Sequence, residues 1–280
     1  MKGKFNPADW LIYSNLWMAA NALAQGVQTR FLLGGRADLS PASGLLFFGT
    51  LFLYSLHRIV GVGQLAPFTS SGRHRFISEN KTPLFAFAGL GLAGSVYFFF
   101  LLSWPIKWAL LLPALVAIGY VFPLGASGRR LRDLHFLKIF LLSIVWAFLT
   151  VWLPAAELAL GSKPATLLMG LERAAFAFAL VIPFDIRDLE VDRHMRVKTF
   201  PGALGATPAV WLAFGMLALM LVFVFLNSYS PGAKTGLACS ATLTFALILF
   251  SRRVEHDYYF SGLLDGMLIL QFLLVYLFSL

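Results

Sequence analysis

Long apolar segments recur along this chain from one end to the other. A membrane-spanning helix needs about 20 largely apolar residues, and nine segments meet that requirement. Backbone amides find no water in a bilayer, so they must be bonded within helices. We predict an all-α integral membrane protein in which residues 1–280 form a single polytopic domain. Its nine transmembrane helices pack in one bundle and cover residues 9–33, 41–61, 83–103, 106–124, 136–155, 164–184, 205–227, 234–251 and 258–279.

Composition agrees with this prediction and excludes other classes. The chain is 59% hydrophobic and only 12% charged, whereas a soluble domain is nearer one quarter charged. Its net charge of +9 does not indicate nucleic-acid binding, because the basic residues lie in short gaps between apolar segments. The single cysteine, Cys239, forms no intrachain disulfide.

The distribution of Lys and Arg predicts the orientation, because cytoplasmic connections are enriched in these residues. With the N-terminus in the cytoplasm, sixteen cations fall on the inner side and five on the outer side. We expect a multi-pass protein of the inner membrane if the source is bacterial. The inner cations are Lys2, Lys4, Arg58, Arg73, Arg75, Lys81, Arg129, Arg130, Arg132, Lys138, Arg187, Arg193, Arg196, Lys198, Arg252 and Arg253.

The densest charge lies in "PFDIRDLEVDRHMRVKTFP", residues 183–201. Asp185, Asp188 and Asp192 follow the spacing i, i+3, i+7, which places them on one helical face. Mg²⁺ binds carboxylates together with substrate phosphates and water, and Arg193, Arg196 and Lys198 can bind the same phosphates. The pattern favours a diphosphate site, although a solvated loop with positive-inside charge remains the alternative.

This segment resembles the second aspartate-rich motif of the UbiA-type membrane prenyltransferases, and is closest to the branch that prenylates naphthoate in menaquinone synthesis. "GYVFPLGASGRRLRDLHFLK", residues 119–138, is similar to the end of that family's helix four and the start of its helix five. The nine predicted helices also agree with the family. The matching positions of the motif are Asp185, Arg187, Asp188, Glu190, Asp192, Arg193, Thr199, Pro201, Leu204 and Gly205.

The resemblance implies a prenyltransferase that uses Mg²⁺ and a prenyl diphosphate within the lipid bilayer. Asp185, Asp188 and Asp192 would be its metal-binding and catalytic residues. The allylic C–O bond ionises, and an unidentified aromatic or lipid acceptor captures the cation; a terpene cyclase would capture it intramolecularly. The cations expected at the diphosphate are Lys138, Arg187, Arg193 and Lys198.

One part of the family pattern is missing. The family has an acidic motif at the end of helix two, where this chain reads "LFLYSLHRIVGVGQ" without a carboxylate. Ser55, His57 and Arg58 occupy the region, and we predict that they contact the substrate. His57 and Arg58 could supply positive charge to phosphate, mark a catalytically inactive protein that keeps the phosphate pocket, or be interfacial cations. Arg196 also replaces a glycine that is usual in the family.

Polar residues inside apolar segments give further candidates. Asn21 and Gln25 share a face of the first helix with Gln28, and they are predicted to bind substrate or to join helices by hydrogen bonds. Glu172, Arg173 and Asp265 lie within predicted spans, where ionisable residues are often functional. Asp265 could pair with Arg173 or contact the acceptor. The same residues motivate a weaker alternative, a transporter.

Overall fold

The computed structural model describes residues 5–61, 72–122, 130–195 and 197–280, and within these ranges there is no β-strand. The α-helices are α1 (Pro7–Tyr13), α2 (Leu16–Gly34), α3 (Pro41–Gly61), α4 (Gly72–Glu79), α5 (Lys81–Leu101), α6 (Trp104–Ala109), α7 (Leu111–Val121), α8 (Leu137–Ala147), α9 (Leu153–Glu157), α10 (Pro164–Arg187), α11 (Leu189–His194), α12 (Phe200–Leu204), α13 (Ala206–Leu226), α14 (Pro231–Phe250) and α15 (Asp265–Ser279). Some cations counted for the orientation lie outside the described residues: Lys2, Lys4, Arg129 and Arg196.

In the described part of the chain, eight spans are long and apolar enough to cross a membrane. Each lies within a few residues of a predicted helix, so the prediction of an all-α integral membrane protein is confirmed. The spans are Pro41–Val60, Lys81–Leu101, Trp104–Val121, Leu137–Glu157, Pro164–Arg187, Ala206–Leu226, Pro231–Arg253 and Tyr259–Ser279.

The ninth predicted helix, 9–33, is present but differs from the other eight. It is divided into α1 and α2 at Asn15, whose φ of 71° is left-handed, a conformation that asparagine tolerates better than most residues. The polar residues of α2 lower its hydropathy, and they are fully buried: Asn21, Gln25, Gln28 and Thr29. This helix therefore directs its polar face into the bundle and not toward lipid.

Two spans contain a π-helical segment. Phe148–Trp152 joins α8 to α9, and Tyr259–Leu264 leads into α15. A π-helical turn contains one residue more than an α-helical turn, which changes the direction of the side chains around it. Such turns are frequent at functional sites. The second segment is followed directly by Asp265.

Helix packing brings several helix ends together. α2 packs between α3 and α15, and α10 packs against both α8 and α13. As a result, the last turns of α3 and α10 lie at the same end of the bundle as the first turns of α8 and of the Tyr259–Ser279 span. We call this the charged end, because it carries Arg58, Lys138, Asp185 and Arg187.

The outer surface of the bundle is apolar. Leu112, Leu115 and Trp211 are each about two-thirds exposed or more, at 71%, 65% and 67%. Soluble monomers rarely expose so many large apolar side chains in continuous patches. Lipid contact explains this surface, because hydrocarbon tails cover apolar side chains at no cost in solvation.

We predict that Gly91→Ala destabilises the bundle. A Cβ at Gly91 would lie 2.6 Å from the backbone nitrogen of Phe52, so α5 would have to move away from α3. Overpacking of this kind costs about 1–3 kcal/mol. Gly89→Ala is the matched control on the same helix, since a Cβ there meets no atom within 4 Å. Unfolding in detergent measures both variants, and equal midpoints would contradict the prediction.

Candidate functional site

The aspartate-rich segment begins in the last turn of α10. That helix ends at Arg187, Asp188 is its C-cap, and α11 starts at Leu189. The backbone N–H of Asp192 still donates to the carbonyl of Asp188 at 2.9 Å, so the chain turns without losing its helical course. The segment predicted as one helical face is interrupted at Asp188, whose carboxylate has a different partner from those of Asp185 and Asp192.

Two of these carboxylates converge on one ammonium group. Lys138 Nζ lies 2.6 Å from Asp185 Oδ1 and 3.9 Å from Asp192 Oδ2. The Asp185 side chain is only 2% exposed. A buried carboxylate is stable only when it is paired, and the first turn of α8 supplies the partner.

The third carboxylate is bound by its sequence neighbour. Arg187 donates to Asp188 with Nε and Nη2 at 2.7 and 3.1 Å, a bidentate pair of the kind that fixes both groups. Its guanidinium also lies 5.2 Å from the ring centroid of Phe184 and 5.0 Å from that of Phe260. Arg187 Nη1 is 4.0 Å from Asp257 Oδ1, which connects α10 to the chain before α15.

The residues at the end of α3 face the same region. The His57 ring lies 6.0 Å from that of Tyr120, and Tyr120 is within electrostatic range of Lys138. Arg58 Nη1 donates to the carbonyl oxygen of Tyr13 at 2.7 Å. The structure therefore brings the cations of the α3 segment and the acidic segment of α10 to one end of the bundle, with Tyr120 between them.

Three other predicted site residues join helices by hydrogen bonds. Asn15 Nδ2 donates to Ser55 Oγ at 3.2 Å, which connects the start of α2 to α3. Asn21 Oδ1 accepts from the Ile269 backbone N–H at 3.2 Å, and Gln25 Nε2 donates to the Leu268 carbonyl at 2.7 Å. For Asn21 and Gln25, these are the helix–helix bonds expected of the alternative to substrate binding.

The two predicted cations that follow the acidic segment have exposed side chains. Arg193 lies in the last turn of α11 and Lys198 precedes α12. The Lys198 backbone N–H donates to His135 Nδ1 at 3.1 Å, so this part of the chain is held next to the start of α8. Both cations therefore lie at the rim of the charged end. Arg196, counted with them in the sequence, lies outside the described residues.

Of the two roles considered for Asp265, pairing with Arg173 is not found. The stretch of α10 from Arg173 to Arg187 spans about 21 Å, and Asp265 lies within electrostatic range of Arg187. Arg173 Nη1 instead donates to the Gln25 carbonyl at 3.3 Å and to Thr150 Oγ1 at 3.4 Å. Arg173 therefore holds α10 against α2 and the π-helical segment Phe148–Trp152.

Glu172 also has a partner outside the charged end. Its Oε2 accepts from the Tyr229 hydroxyl at 2.8 Å. Tyr229 lies in the connection between α13 and α14, where burial raises the pKa of its hydroxyl, and the neighbouring Glu172 raises it further. The tyrosine therefore stays protonated and donates to the carboxylate. Neither Glu172 nor Arg173 reaches the acidic segment.

Sequence reasoning did not select several residues of this end. Tyr13 and Asp257 belong to no motif. Tyr120 lies in the quoted segment 119–138, but an aromatic residue in an apolar helix usually indicates packing. Tyr258 was not selected either. Burial raises the pKa of its hydroxyl, and a hydrogen bond to Asp9 raises that pKa further. That hydroxyl donates to Asp9 Oδ1 at 2.6 Å. The bond connects α1 to the start of the last span, at the charged end. Only their tertiary contacts identify these residues.

The carboxylates fit a single divalent cation better than a larger metal cluster. Among the described residues, no group of three His, Cys, Asp or Glu side chains is arranged around one metal position. Asp185 and Asp192 nevertheless converge on one point, where Lys138 now supplies the positive charge. Two carboxylates together with phosphate oxygens and water complete the coordination of Mg²⁺. The residues therefore fit one Mg²⁺ ion, provided that Lys138 moves aside.

Solved structures match this fold over almost the whole chain. A UbiA homologue from Aeropyrum pernix K1 gives a TM-score of 0.60 at 15% identity and covers 99% of this chain and 100% of its own. A UbiA homologue from Archaeoglobus fulgidus, bound to GPP and Mg²⁺, gives 0.59 at 12% identity, with 96% and 99% covered. A structure described for digeranylgeranylglyceryl phosphate synthase gives 0.56 at 11% identity, with 97% of each chain covered.

The chain therefore has the UbiA-type fold. The sequence resemblance is confirmed at the level of the fold, over nearly the full length of the protein. No protein-family model matches the chain, and a search of curated proteins finds no significant match. Chemistry must consequently be argued from the residues of the charged end.

We predict that Lys138→Met lowers the free energy of unfolding by about 3 kcal/mol, because it leaves the buried Asp185 carboxylate without its ammonium partner. Adding Asp185→Asn should recover most of that loss, since the uncompensated charge is then gone. Lys198→Met is the matched control on an exposed side chain and should change stability by less than about 0.5 kcal/mol. Denaturant titration in detergent measures all four proteins. A double variant no more stable than Lys138→Met would contradict the prediction.

Proposed function

We propose that this protein is an integral membrane prenyltransferase that transfers a prenyl group from a prenyl diphosphate to an aromatic or lipid acceptor. The observation that carries the proposal is the charged end of the UbiA-type fold. There, Lys138 and Arg187 pair with the aspartates of the acidic segment, and the end of α3 adds Arg58 to the same end of the bundle. Such a mixture suits a diphosphate, which needs cations for its oxygens and carboxylates for a bridging metal ion.

The chemistry follows from charge stabilisation. The allylic C–O bond breaks, and the diphosphate leaves with the electron pair. Arg58, Lys138 and Arg187 neutralise the charge that develops on the leaving oxygens, and preorganised charge of this kind usually contributes more to catalysis than any other single effect. The bundle below the charged end excludes water, which would otherwise capture the cation. When bound by Asp185 and Asp192, Mg²⁺ would supply further positive charge to the same oxygens.

The absence of the first acidic motif gives Arg58 and His57 a specific role in this proposal. In a site with two acidic motifs, metal ions neutralise the diphosphate from both sides. Here the α3 side offers a guanidinium and an imidazole, and arginine can bind phosphate with two parallel hydrogen bonds. Arg58 therefore replaces metal charge by side-chain charge on the α3 side of the pocket.

The proposed orientation places the charged end in the cytoplasm. The excess of Lys and Arg in connections on that side supports it. The N-terminus and the acidic segment are then both cytoplasmic, where a soluble or membrane-bound prenyl diphosphate can enter. The prenyl chain extends into the apolar interior, and membrane lipid surrounds the bundle.

A second candidate is favoured by the same missing motif. All three aspartates of the acidic segment have cationic neighbours, and the α3 segment contributes no carboxylate of its own. A protein of this kind could bind a prenyl diphosphate without ionising it. Binding of geranyl diphosphate without any release of inorganic diphosphate, across a range of acceptors, would favour this candidate over the enzyme.

We predict that Asp188→Ala lowers Mg²⁺-dependent turnover by about 100-fold or more. The change removes a carboxylate from the proposed site and releases Arg187 from its bidentate pair, so the charge around the leaving group is no longer preorganised. Glu190→Ala is the matched control, because Glu190 lies two residues away and is exposed. Release of inorganic diphosphate from geranyl diphosphate measures both, and unchanged turnover in Asp188→Ala would remove the assignment.

We predict that Arg58→Ala weakens binding of geranyl diphosphate by roughly 10- to 100-fold, since hydrogen bonds to charged groups contribute about 1.5–3 kcal/mol. Arg58→Lys should recover only part of the affinity, because an ammonium cannot make the bidentate contact. Arg253→Ala, at an exposed position near the same end, is the control. Titration calorimetry in detergent gives the dissociation constants, and equal values for Arg58→Ala and the wild type would exclude a substrate contact.

A further inference from the structure

The interior of the bundle contains a group of hydrogen-bonded polar side chains far from the charged end. Its members come from α2, α10, α14, α15 and the π-helical segment Phe148–Trp152, and each of them is at most 1% exposed. We call this group the polar layer. It consists of Gln25, Gln28, Thr29, Thr150, Arg173, Ser240 and Gln271.

Gln271 connects three helices within the polar layer. Its Oε1 accepts from Gln25 Nε2 at 3.3 Å and from Gln28 Nε2 at 3.4 Å. Its own Nε2 donates to Ser240 Oγ at 3.3 Å. These bonds join α15 to α2 and to α14, and a buried amide that lost them would be left with the full cost of its desolvation. The three helices are therefore held together at this level.

Arg173 and Thr29 extend the polar layer to α10 and to the π-helical segment. Arg173 Nη1 donates to the Gln25 carbonyl at 3.3 Å and to Thr150 Oγ1 at 3.4 Å, and Thr29 Oγ1 donates to the Thr150 carbonyl at 2.8 Å. Among the described residues, Arg173 Nε and Nη2 have no hydrogen-bond partner. A hydrocarbon chain offers no acceptor to such donors, so contact between the two is unfavourable.

Three helices place the polar layer at a similar distance from the charged end. The stretch of α10 from Arg173 to Arg187 spans about 21 Å. From Lys138 at the start of α8 to Thr150, the helical rise amounts to about 18 Å. Gln271 lies about 18 Å from the start of its own span. The agreement between separate helices shows that these residues form one level across the bundle.

The distance between the charged end and the polar layer sets a length. Between these two levels α10 carries only apolar residues, 174–184, which suit the hydrocarbon chain of a donor bound at the charged end. An extended isoprene unit is roughly 4–5 Å long, given carbon–carbon bonds of about 1.5 Å. A depth of about 18–21 Å therefore corresponds to about four units, the length of a geranylgeranyl chain.

We propose that the polar layer closes the far end of the space that holds the donor, and that it limits the donor to prenyl diphosphates of up to about four isoprene units. This inference rests on the proposed function. A longer chain would have to separate Gln271 from its partners on α2 and α14, which would leave buried amides against hydrocarbon. Gln271 then determines donor specificity from a position remote from the diphosphate.

The test measures donor binding by the full chain in phosphatidylcholine nanodiscs with Mg²⁺. The probes are geranyl, farnesyl, geranylgeranyl and geranylfarnesyl diphosphate, each one isoprene unit longer than the last, and every Kd is corrected for partition into empty nanodiscs. For the wild type we expect the affinity to rise as far as geranylgeranyl diphosphate, because each unit buries more apolar surface. It should then fall by about 10-fold or more for geranylfarnesyl diphosphate, whose last unit overpacks the polar layer.

Gln271→Ala tests the polar layer directly. The change removes about four non-hydrogen atoms, close to the size of one isoprene unit. It should bring the Kd of geranylfarnesyl diphosphate to within about threefold of that of geranylgeranyl diphosphate. Thr242→Ala is the matched control, since Thr242 is an exposed polar residue of α14, and it should keep the wild-type preference. If Gln271→Ala does not fold, the wild-type series decides the proposal.

The possible failures are distinguishable. Equal affinity of the wild type for the two longest donors would overturn the length limit, because the chain would then leave the bundle sideways between helices. An unchanged preference in folded Gln271→Ala would overturn the role of the polar layer. Length-limited binding without any release of inorganic diphosphate would remove the enzyme and leave the length limit in place. A wild type that binds none of the four donors would overturn both proposals.

Discussion

The organisation of the charged end depends on the cost of an unpaired charge beside a membrane. Asp185 is buried, and the Lys138 ammonium at 2.6 Å compensates it. That ion pair joins the last turn of α10 to the first turn of α8, and Arg187 makes the equivalent connection from Asp188 toward the chain before α15. Because the Lys138–Asp185 pair and the Arg187–Asp257 contact join different parts of the bundle, the contacts that stabilise it also place cations from two directions around one space.

The fold could be predicted from the sequence to within a few residues. Predicted spans such as 41–61 and 164–184 agree with Pro41–Gly61 and Pro164–Arg187, since spanning helices follow from length and apolarity alone. The short helices α4, α11 and α12 were not predicted, because each has fewer residues than a span and no apolar periodicity. The break at Asn15 was also missed, as a left-handed residue leaves no mark in hydropathy.

The site was predictable only in part. The acidic segment and the cations Lys138, Arg187 and Arg58 carry spacing or charge that the sequence displays, and the structure brings them to one end of the bundle. Of the two roles left open for Asp265, the pairing with Arg173 is not found, because two ionisable residues in apolar helices look alike in sequence whatever their position in the bundle. Tyr13 and Asp257 left no usable signal, since their importance lies only in which helices they face.

By itself, the sequence determined the class of fold, the positions of the long apolar helices, the charge of the connections and the acidic segment with its missing counterpart in α3. Those properties are local, and they depend on how each segment partitions between lipid and water. Only the tertiary structure decided that two aspartates converge on Lys138 while the third turns to Arg187. The direction in which a side chain points, and its partners, depend on packing between helices that are distant in sequence. No single segment encodes that packing.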